Sequence, residues 1–408
     1  MAEEEPLPKP TRESEDYLDD LAEELAVPES RYEQAERSYK SLGEWLHRPA
    51  STVRQYDPQV YVQGSFRLGT TIRPLTEAEE YDIDSVCELR KLGKSQLSQQ
   101  TLKAMLGREI EAYHDAQSMT KPVREGRRCW VLDYADGAQF HMDIVPALPN
   151  ERSVRLLLEA RGHDPKWSKT AIAITDREVP TYTVVTDEWP RSNPKAYADW
   201  FRGRMAIALE RRKRKLAERV HASVEEIPDH KVRTPLQAAV MILKRHRDHM
   251  FEKRPDVRPI SIIVTTLAAH AYGSEETTGQ ALIAILEGMD AHISETGGRY
   301  SIPNPTDPLE NFADKWEKHP ERAEAFFEWL GQARRDFGQA AQTTDRQVIT
   351  ASVGRGVGTS IAERARKRRQ PSLGSPLLRT ASVAPAGAGF SFPDKQRAPS
   401  KPQGFGAA

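Results

Sequence analysis

The sequence predicts an α/β domain built on a mixed sheet, followed by a mostly helical region. Three observations carry that reading. β-rich stretches occur at 60–62, 81–89 and 129–145. Residues with helical spacing flank them at 32–46 and 96–116. After Trp189 the apolar residues recur mainly at spacings of three and four.

An amphipathic helix is expected over 14–27, with Ser14 as its cap and Leu18, Leu21 and Leu25 on one stripe, until Pro28 interrupts it. A longer one follows through Tyr32, Ala35, Tyr39, Leu42 and Leu46, as far as Pro49. The strands at 60–62 and 81–89 are separated by a Gly/Thr/Pro segment. Leu102, Met105, Leu106 and Ile110 mark a helix over 96–116. A hairpin comes next, its strands at 129–134 and 139–145 flanking the turn Ala135-Asp136-Gly137-Ala138. Asn193-Pro194 supplies a cap and a proline at the first helical position, opening a helix to about residue 220. Further helices are expected at 235–251 and 260–273, the second β-branched and therefore buried. From Gln370 onward 23 of 39 residues are Pro, Ser, Gly or Ala, too few apolar groups to offset the entropy of ordering. The expected organisation is an acidic segment with a short helix at 1–29, an α/β lobe at 30–190, a helical lobe at 191–345 and a flexible basic tail at 346–408.

At 408 residues, 38% hydrophobic and 29% charged, the composition is that of a soluble globular protein. There is no apolar run of membrane-spanning length, and MAEEEPLPKP is acidic, unlike a signal peptide. A cytoplasmic location with no membrane association is expected. Cys87 and Cys129 are the only cysteines, which excludes a disulfide scaffold and a thiolate zinc site. The net charge of -1 hides an asymmetry. Residues 1–36 hold thirteen acids against three bases, whereas 202–219 hold eight bases against two acids. The basic run reads either as a polyanion-binding surface or as a solvated helix face.

Side chains alternate along a strand, so Asp82 and Asp84 project to one face of YDIDSVCEL. Two carboxylates that close repel, and a divalent cation between them removes the conflict. Asp143 sits in FHMDIVPAL between Met142 and Ile144, where an acid is costly without a partner. If the two strands are neighbours, three carboxylates converge into a ligand set for two Mg²⁺ ions. The alternative is acids that face water. Gly64 can take positive φ and turn backbone N–H groups toward a phosphate, Ser65 adds a hydroxyl, and Arg67 a nearby cation.

Gly-Ser, then Asp-x-Asp among hydrophobics, then a distant strand Asp, resembles the signature of nucleotidyltransferases related to DNA polymerase β. QGSFRLGTTIRPL, YDID, MDIVPALP, ITDRE, WPRSNPKAYADWF, TPLQAAVMILKRHRD, SIIVTTLAAHAY and ENFADKW resemble the bacterial cGAS/DncV-like nucleotidyltransferases over about residues 30–320. In the wider superfamily the gap between Gly-Ser and Asp-x-Asp is shorter; PLTEAEE lengthens it here, as in this subgroup.

The resemblance implies a polymerase β-like catalytic lobe packed against a helical lobe. It implies synthesis of a cyclic oligonucleotide, here expected to be a purine-containing cyclic dinucleotide, from ATP and/or GTP in CBASS antiphage signalling. Asp82, Asp84 and Asp143 match the catalytic, metal-binding acids, holding two Mg²⁺ with Mn²⁺ as a substitute. Gln63, Gly64 and Ser65, with Arg67, match the nucleotide-binding turn, and Lys244 and Ser261 match the groups that grip the donor triphosphate. Arg245 and Arg247 adjoin Lys244 as further candidates. The implied partners are an effector activated by the cyclic product and an E1/E2-like conjugation partner acting on the terminus at Gly404, Gly406, Ala407 and Ala408. A monomer is expected. No Cys/His cluster of the DNA-sensing kind is present, so no DNA activator is expected.

His141 shares the face of Asp143 and reads as a residue packed beside the sheet, or alternatively as a substrate contact. Trp189, Trp200 and Phe201 read as lobe packing, and Cys87 and Cys129 as small core residues. Two rival functions remain: an RNA-extending tRNA or poly(A) nucleotidyltransferase, and a non-catalytic binding module with vestigial acids.

Overall fold

The computed structural model describes residues 6–74, 81–134, 140–220, 223–224 and 232–369. Helices α1 (Arg12–Leu25) and α2 (Glu29–His47) precede strand β1 (Pro58–Val62), the short helix α3 (Gly64–Leu68) and β2 (Tyr81–Leu89). Then come α4 (Gln99–Ala116), β3 (Arg124–Glu125), β4 (Trp130–Tyr134), β5 (Phe140–Pro149), α5 (Glu151–Ala160), β6 (Ile172–Ile174) and β7 (Arg191–Ser192). The expected turn at 135–138, most of the PLTEAEE insert and the chain terminus lie outside the described residues.

The strands form one mixed sheet in the order β1-β2-β5-β4-β3, with β6 joined to β5 and β7 to β6. Only β2 and β5 run parallel; β1 pairs with β2, and β4 with β5, antiparallel. Alternation sorts the two faces. Ile83, Cys87 and Leu89 of β2 and Phe140, Met142 and Ile144 of β5 are buried against Leu42 and Leu46 of α2 and Leu102, Leu106 and Ile110 of α4. On the opposite face Val86, Val145, Ala147, Ile172 and Ile174 make a smaller cluster. Asp82, Asp84 and Asp143 share that second face by strand parity.

The remainder is helical: α6 (Pro194–Val220), α7 (Pro235–Met250), α8 (Ser261–Ala271) and α9 (Thr278–Gly288). Two small hairpins follow, β8 (Ser294–Thr296) with β9 (Arg299–Ser301) and β10 (Pro303–Asn304) with β11 (Asp307–Asn311). They are succeeded by α10 (Pro320–Ala341), α11 (Arg346–Val357) and α12 (Thr359–Lys367). The expected helix after Asn193-Pro194 is α6, and those at 235–251 and 260–273 are α7 and α8. Helix α7 opens with a capping box in which Thr234 and Gln237 satisfy each other's backbone N–H. None of the described helices is long and apolar enough to cross a membrane.

Two expectations need correction. Helix α1 is capped by Thr11, whose hydroxyl accepts from the Ser14 N–H, and Ser14 lies inside the helix. Residues 346–369 are no tail: Ile349, Val353, Val357, Ile361, Ala362 and Ala365 of α11 and α12 are buried with Tyr17, Leu18 and Leu21 of α1. Apolar spacing alone understates these short, charge-rich helices, because their stripe is completed by residues far away in sequence. The same contact absorbs much of the charge asymmetry. Arg346 pairs with Glu13 and Asp20, Arg364 and Arg368 with Glu24, and Arg369 with Asp16 and Asp20.

The basic run on α6 is likewise partly committed internally. Arg204 donates to the carbonyls of Ala269 and Tyr272, Arg212 to that of Arg233, and Arg211 and Arg214 pair with Glu276 and Glu210. The charge run therefore serves, at least in these members, as structural glue.

The loop after β6 is anchored by Asp176, whose side chain is 1% exposed. It accepts from Arg127 Nε and Nη2 at 2.6 and 2.7 Å and from Arg128 Nε at 2.8 Å. Burial pushes this carboxyl up, but the Arg127 and Arg128 hydrogen bonds and the Glu178 N–H outweigh it and hold the group at about 2. A carboxyl depressed below its unfolded value adds stability above the unfolded pKa and loses it as pH falls through the folded one. Asp176→Asn should cost about 3 kcal/mol at pH 7, since two guanidinium groups lose their counter-charge. In denaturant titrations its deficit relative to the parent should shrink between pH 4 and pH 2; a pH-independent deficit would contradict the assignment.

Candidate active site

The register between β2 and β5 builds the acidic site. In that parallel pairing Asp84 lies opposite Asp143 and Asp82 opposite His141. One ligand atom each from Asp82, His141 and Asp143 fall within 4.8 Å of one another. The His141 Nε2 is 3.4 Å from Asp82 Oδ1. Burial raises the Asp84 carboxyl to about 7, with the charges of Asp82 and Asp143 adding to it. Asp143 is raised by burial and then by Asp82. The hydrogen bond to Asp82 raises the His141 imidazole. These are the shifts expected of carboxylates gathered without a counter-ion.

The donor set suits a divalent cation. Asp143 Oδ2 accepts from the Cys129 thiol at 3.3 Å, whereas Oδ1 is buried without a hydrogen-bond partner among the described residues. The group whose ligand atoms converge is Asp82, His141 and Asp143, with Asp84 outside it, and carboxylates with a buried bare oxygen are hard ligands of the kind Mg²⁺ and Mn²⁺ take.

The glycine-serine turn abuts this cluster. Gly64 has φ +60°, and a Cβ there would run into the Asp84 carboxylate. Only glycine allows both the backbone conformation and the close approach. The Gln63 N–H donates to the Asp84 carbonyl at 2.8 Å, so the end of β1 and the start of α3 are bonded to β2. Ser65 Oγ lies 3.0 Å from Thr71 Oγ1, and its carbonyl accepts from the Thr70 N–H at 3.0 Å. Arg67 is exposed on α3.

Helix α7 clamps the segment that follows. Gln237 donates to the Leu68 carbonyl at 2.9 Å, Lys244 Nζ to that of Thr70 at 3.0 Å, and Arg245 to that of Arg73. Lys244 is buried, and burial together with Arg247 brings its ammonium down to about 8, while Asp248, Asp84 and Asp82 oppose that shift. The lysine is thus within electrostatic reach of the acids and also ties the lobes together.

Ser261 is differently placed. Its Oγ accepts from Arg247 Nη1 at 2.9 Å, and it lines a cavity of about 390 Å³ with Arg247, Arg258, Phe312, Trp316 and Arg322. None of the three aspartates lines that cavity.

Two residues near the chemistry were read as packing from the sequence. His141 belongs to the cluster, and the signal was its parity with Asp143, outweighed by the frequency of packed histidines. Cys129 bonds Asp143 across the β4–β5 neighbourhood, a contact between positions 14 apart that no local pattern announces. Burial, then Asp143, pushes its thiol up to about 12. Cys87 is fully buried in the sheet core, as expected.

Residues 58–146 match the family model for the nucleotidyltransferase domain of cyclic GMP-AMP synthase DncV-like proteins. The chain is 27% identical over 318 residues to a c-di-GMP synthase of Roseivirga ehrenbergii, spanning 78% of this chain and 76% of the relative. It is also 27% identical over 318 residues to the cyclic dinucleotide synthase CdnG of Bradyrhizobium diazoefficiens, spanning 74% and 70%. The solved structure of that CdnG with GTP superposes with a TM-score of 0.63 at 21% identity, covering 87% of this chain and 98% of the other. Vibrio cholerae DncV, solved with the linear intermediate pppA(3′,5′)pG, gives 0.57 at 13% identity, covering 88% and 98%. These two share the fold of this chain. By the domain match over residues 58–146, the two curated relatives and the shared fold, the chain is similar to the cGAS/DncV-like nucleotidyltransferases.

Proposed function

We propose that the protein makes a cyclic dinucleotide from nucleoside triphosphates by two-metal nucleotidyl transfer, with Asp82, Asp84 and Asp143 as the ligands of two Mg²⁺ or Mn²⁺ ions. The observation that supports it most is the β2–β5 register, which sets Asp84 opposite Asp143, together with Gly64 against the Asp84 carboxylate. The turn at Gln63, Gly64 and Ser65 holds the donor triphosphate through backbone N–H groups and the Ser65 hydroxyl, with Lys244 and Arg67 as cations beside it. A ribose hydroxyl attacks the α-phosphate in line, its P–O bond forming as the bond to pyrophosphate breaks. When bound, the cations supply the Lewis acidity that eases loss of the hydroxyl proton and neutralises the departing pyrophosphate. A second transfer on the linear intermediate closes the ring. GTP is the first substrate to test, because one relative is named a c-di-GMP synthase and the CdnG structure holds GTP. The product acts on an effector in antiphage signalling, a reading that rests on family resemblance.

Purified full-length chain with Mg²⁺ or Mn²⁺ and labelled GTP and ATP, with and without RNA, discriminates among the rivals. A small phosphatase-resistant product supports the proposal. An extended RNA supports the RNA-extending transferase, and no product at all the binding module.

Asp82→Ala combined with Asp84→Ala should lower synthesis roughly a thousandfold or more. Asp143→Asn should behave similarly, since an amide is a poor substitute for an anionic ligand. Retained turnover would refute the ligand assignment. The metal-free stability should move the other way. A carboxyl raised above its unfolded value leaves the fold unpenalised below about pH 4 and destabilises it progressively as pH rises to about 7. Asp84→Asn removes this loss, so in metal-free thermal melts its advantage over the parent should be larger at pH 8 than at pH 5.

Lys244→Ala should raise the donor KM about tenfold, the loss of one charge-assisted contact. It should also lower stability by about 1 kcal/mol through loss of the Thr70 bond. If only the melting temperature falls, Lys244 is a tie between lobes and the triphosphate role passes to a neighbour.

A further inference from the structure

The acids of the site differ in how they are held. Asp84 is confined by Gly64, and its backbone carbonyl by the Gln63 N–H. Asp82 has His141 beside it. Among the described residues the hydrogen-bond donor to the Asp143 carboxylate is the Cys129 thiol, 3.3 Å from Oδ2, and Oδ1 remains buried and bare. Rotation about the terminal bond of an aspartate is soft, so an oxygen that has no fixed counterpart is poorly aimed. A thiol is a weak donor: it can orient a carboxylate while leaving most of its charge for a cation.

The sulfur is itself held firmly. A Cβ added at Gly126 would stand 2.8 Å from Cys129 Sγ, so glycine there leaves just the room the sulfur fills. The Gly126 N–H donates to the Cys129 carbonyl at 3.0 Å. Lys103 Nζ donates to the carbonyls of Gly126 and Arg127 at 2.5 and 3.0 Å, and Thr175 Oγ1 to that of Arg128 at 2.9 Å. Asp176 grips the Arg127 and Arg128 side chains. Four separate ties converge on a short turn whose last residue points its side chain to the catalytic aspartate.

Resting on the nucleotidyl-transfer reading of the site, we propose that Cys129 is the positioning residue for Asp143: its thiol occupies Oδ2 and so reserves Oδ1 for the cation. Loss of an outer partner of this kind weakens metal binding or turnover by about 10- to 100-fold.

The test uses the full chain and the variants Cys129→Ala and Cys129→Ser. Mn²⁺ alone is titrated against the thermal melting temperature, and synthesis from GTP and ATP is followed in parallel. Cys129→Ala should shift the Mn²⁺ midpoint upward about tenfold and lower kcat by a similar factor, with the nucleotide KM unchanged. Cys129→Ser, which restores a hydroxyl donor, should recover most of both. Gly126→Ala keeps Cys129 but displaces its sulfur, and should reproduce the midpoint shift, so the proposal stays open to refutation if Cys129→Ala fails to fold. A parental Mn²⁺ midpoint in Cys129→Ala, or a serine variant no better than alanine, would overturn it. If the parent chain makes no nucleotide product, the functional reading fails, and the metal titration still decides the role of Cys129.

Discussion

The parallel pairing of β2 with β5 is the constraint on which the site depends. Register in a sheet is quantised in steps of one residue, and a one-residue slip would turn Asp143 to the face occupied by Met142 and Ile144. That slip is prevented by packing rather than by the acids. Ile83 and Cys87 on one strand and Phe140, Met142 and Ile144 on the other are buried against α2 and α4. Their burial stabilises the pairing by far more than the repulsion among carboxylates on the opposite face can destabilise it. The apolar face therefore fixes the geometry of the polar one.

A second set of contacts brings the turn to the acids. Helix α7 donates from Gln237, Lys244 and Arg245 to three carbonyls between Leu68 and Arg73, and Arg73 in turn bonds to the carbonyls of Leu25 and Ala26. The segment after the glycine-serine turn has no regular structure of its own to satisfy these groups, so the helical lobe satisfies them. The glycine-serine turn, the helical lobe and the N-terminal helix are thereby one mechanical unit. This explains why α1, distant in sequence from every site residue, shares the core of the helical lobe.

Much of this was legible in the sequence. Strand parity placed Asp82 and Asp84 together, and the isolated acid in FHMDIVPAL marked the partner strand. The capping signal at Asn193-Pro194 located α6, and the helical stretch read at 235–251 is α7. What escaped depends on long-range pairing. Helices α11 and α12 are short and charged, and their counter-charges lie more than 300 positions away on α1. Cys129 and His141 gain their meaning from register across strands, which fixes who faces whom only once the sheet is assembled. Ser261 was matched by resemblance of its surroundings, and its hydroxyl accepts from Arg247 beside a cavity that Arg258 and Arg322 also line.

The electrostatics of the cluster follow from these ties. Left to themselves, Asp82, Asp84 and Asp143 would separate to relieve their repulsion, but strands bonded on both edges cannot splay. The conflict is expressed as raised carboxyl pKa values in place of a changed shape. A site that is already assembled and electrostatically frustrated binds a divalent cation with little reorganisation, because the cation replaces repulsion with attraction while the backbone stays where it is. The rigidity of the sheet is thus converted into affinity for charge. Cations held there would in turn face the negative charge that develops as pyrophosphate departs, which is what nucleotidyl transfer requires.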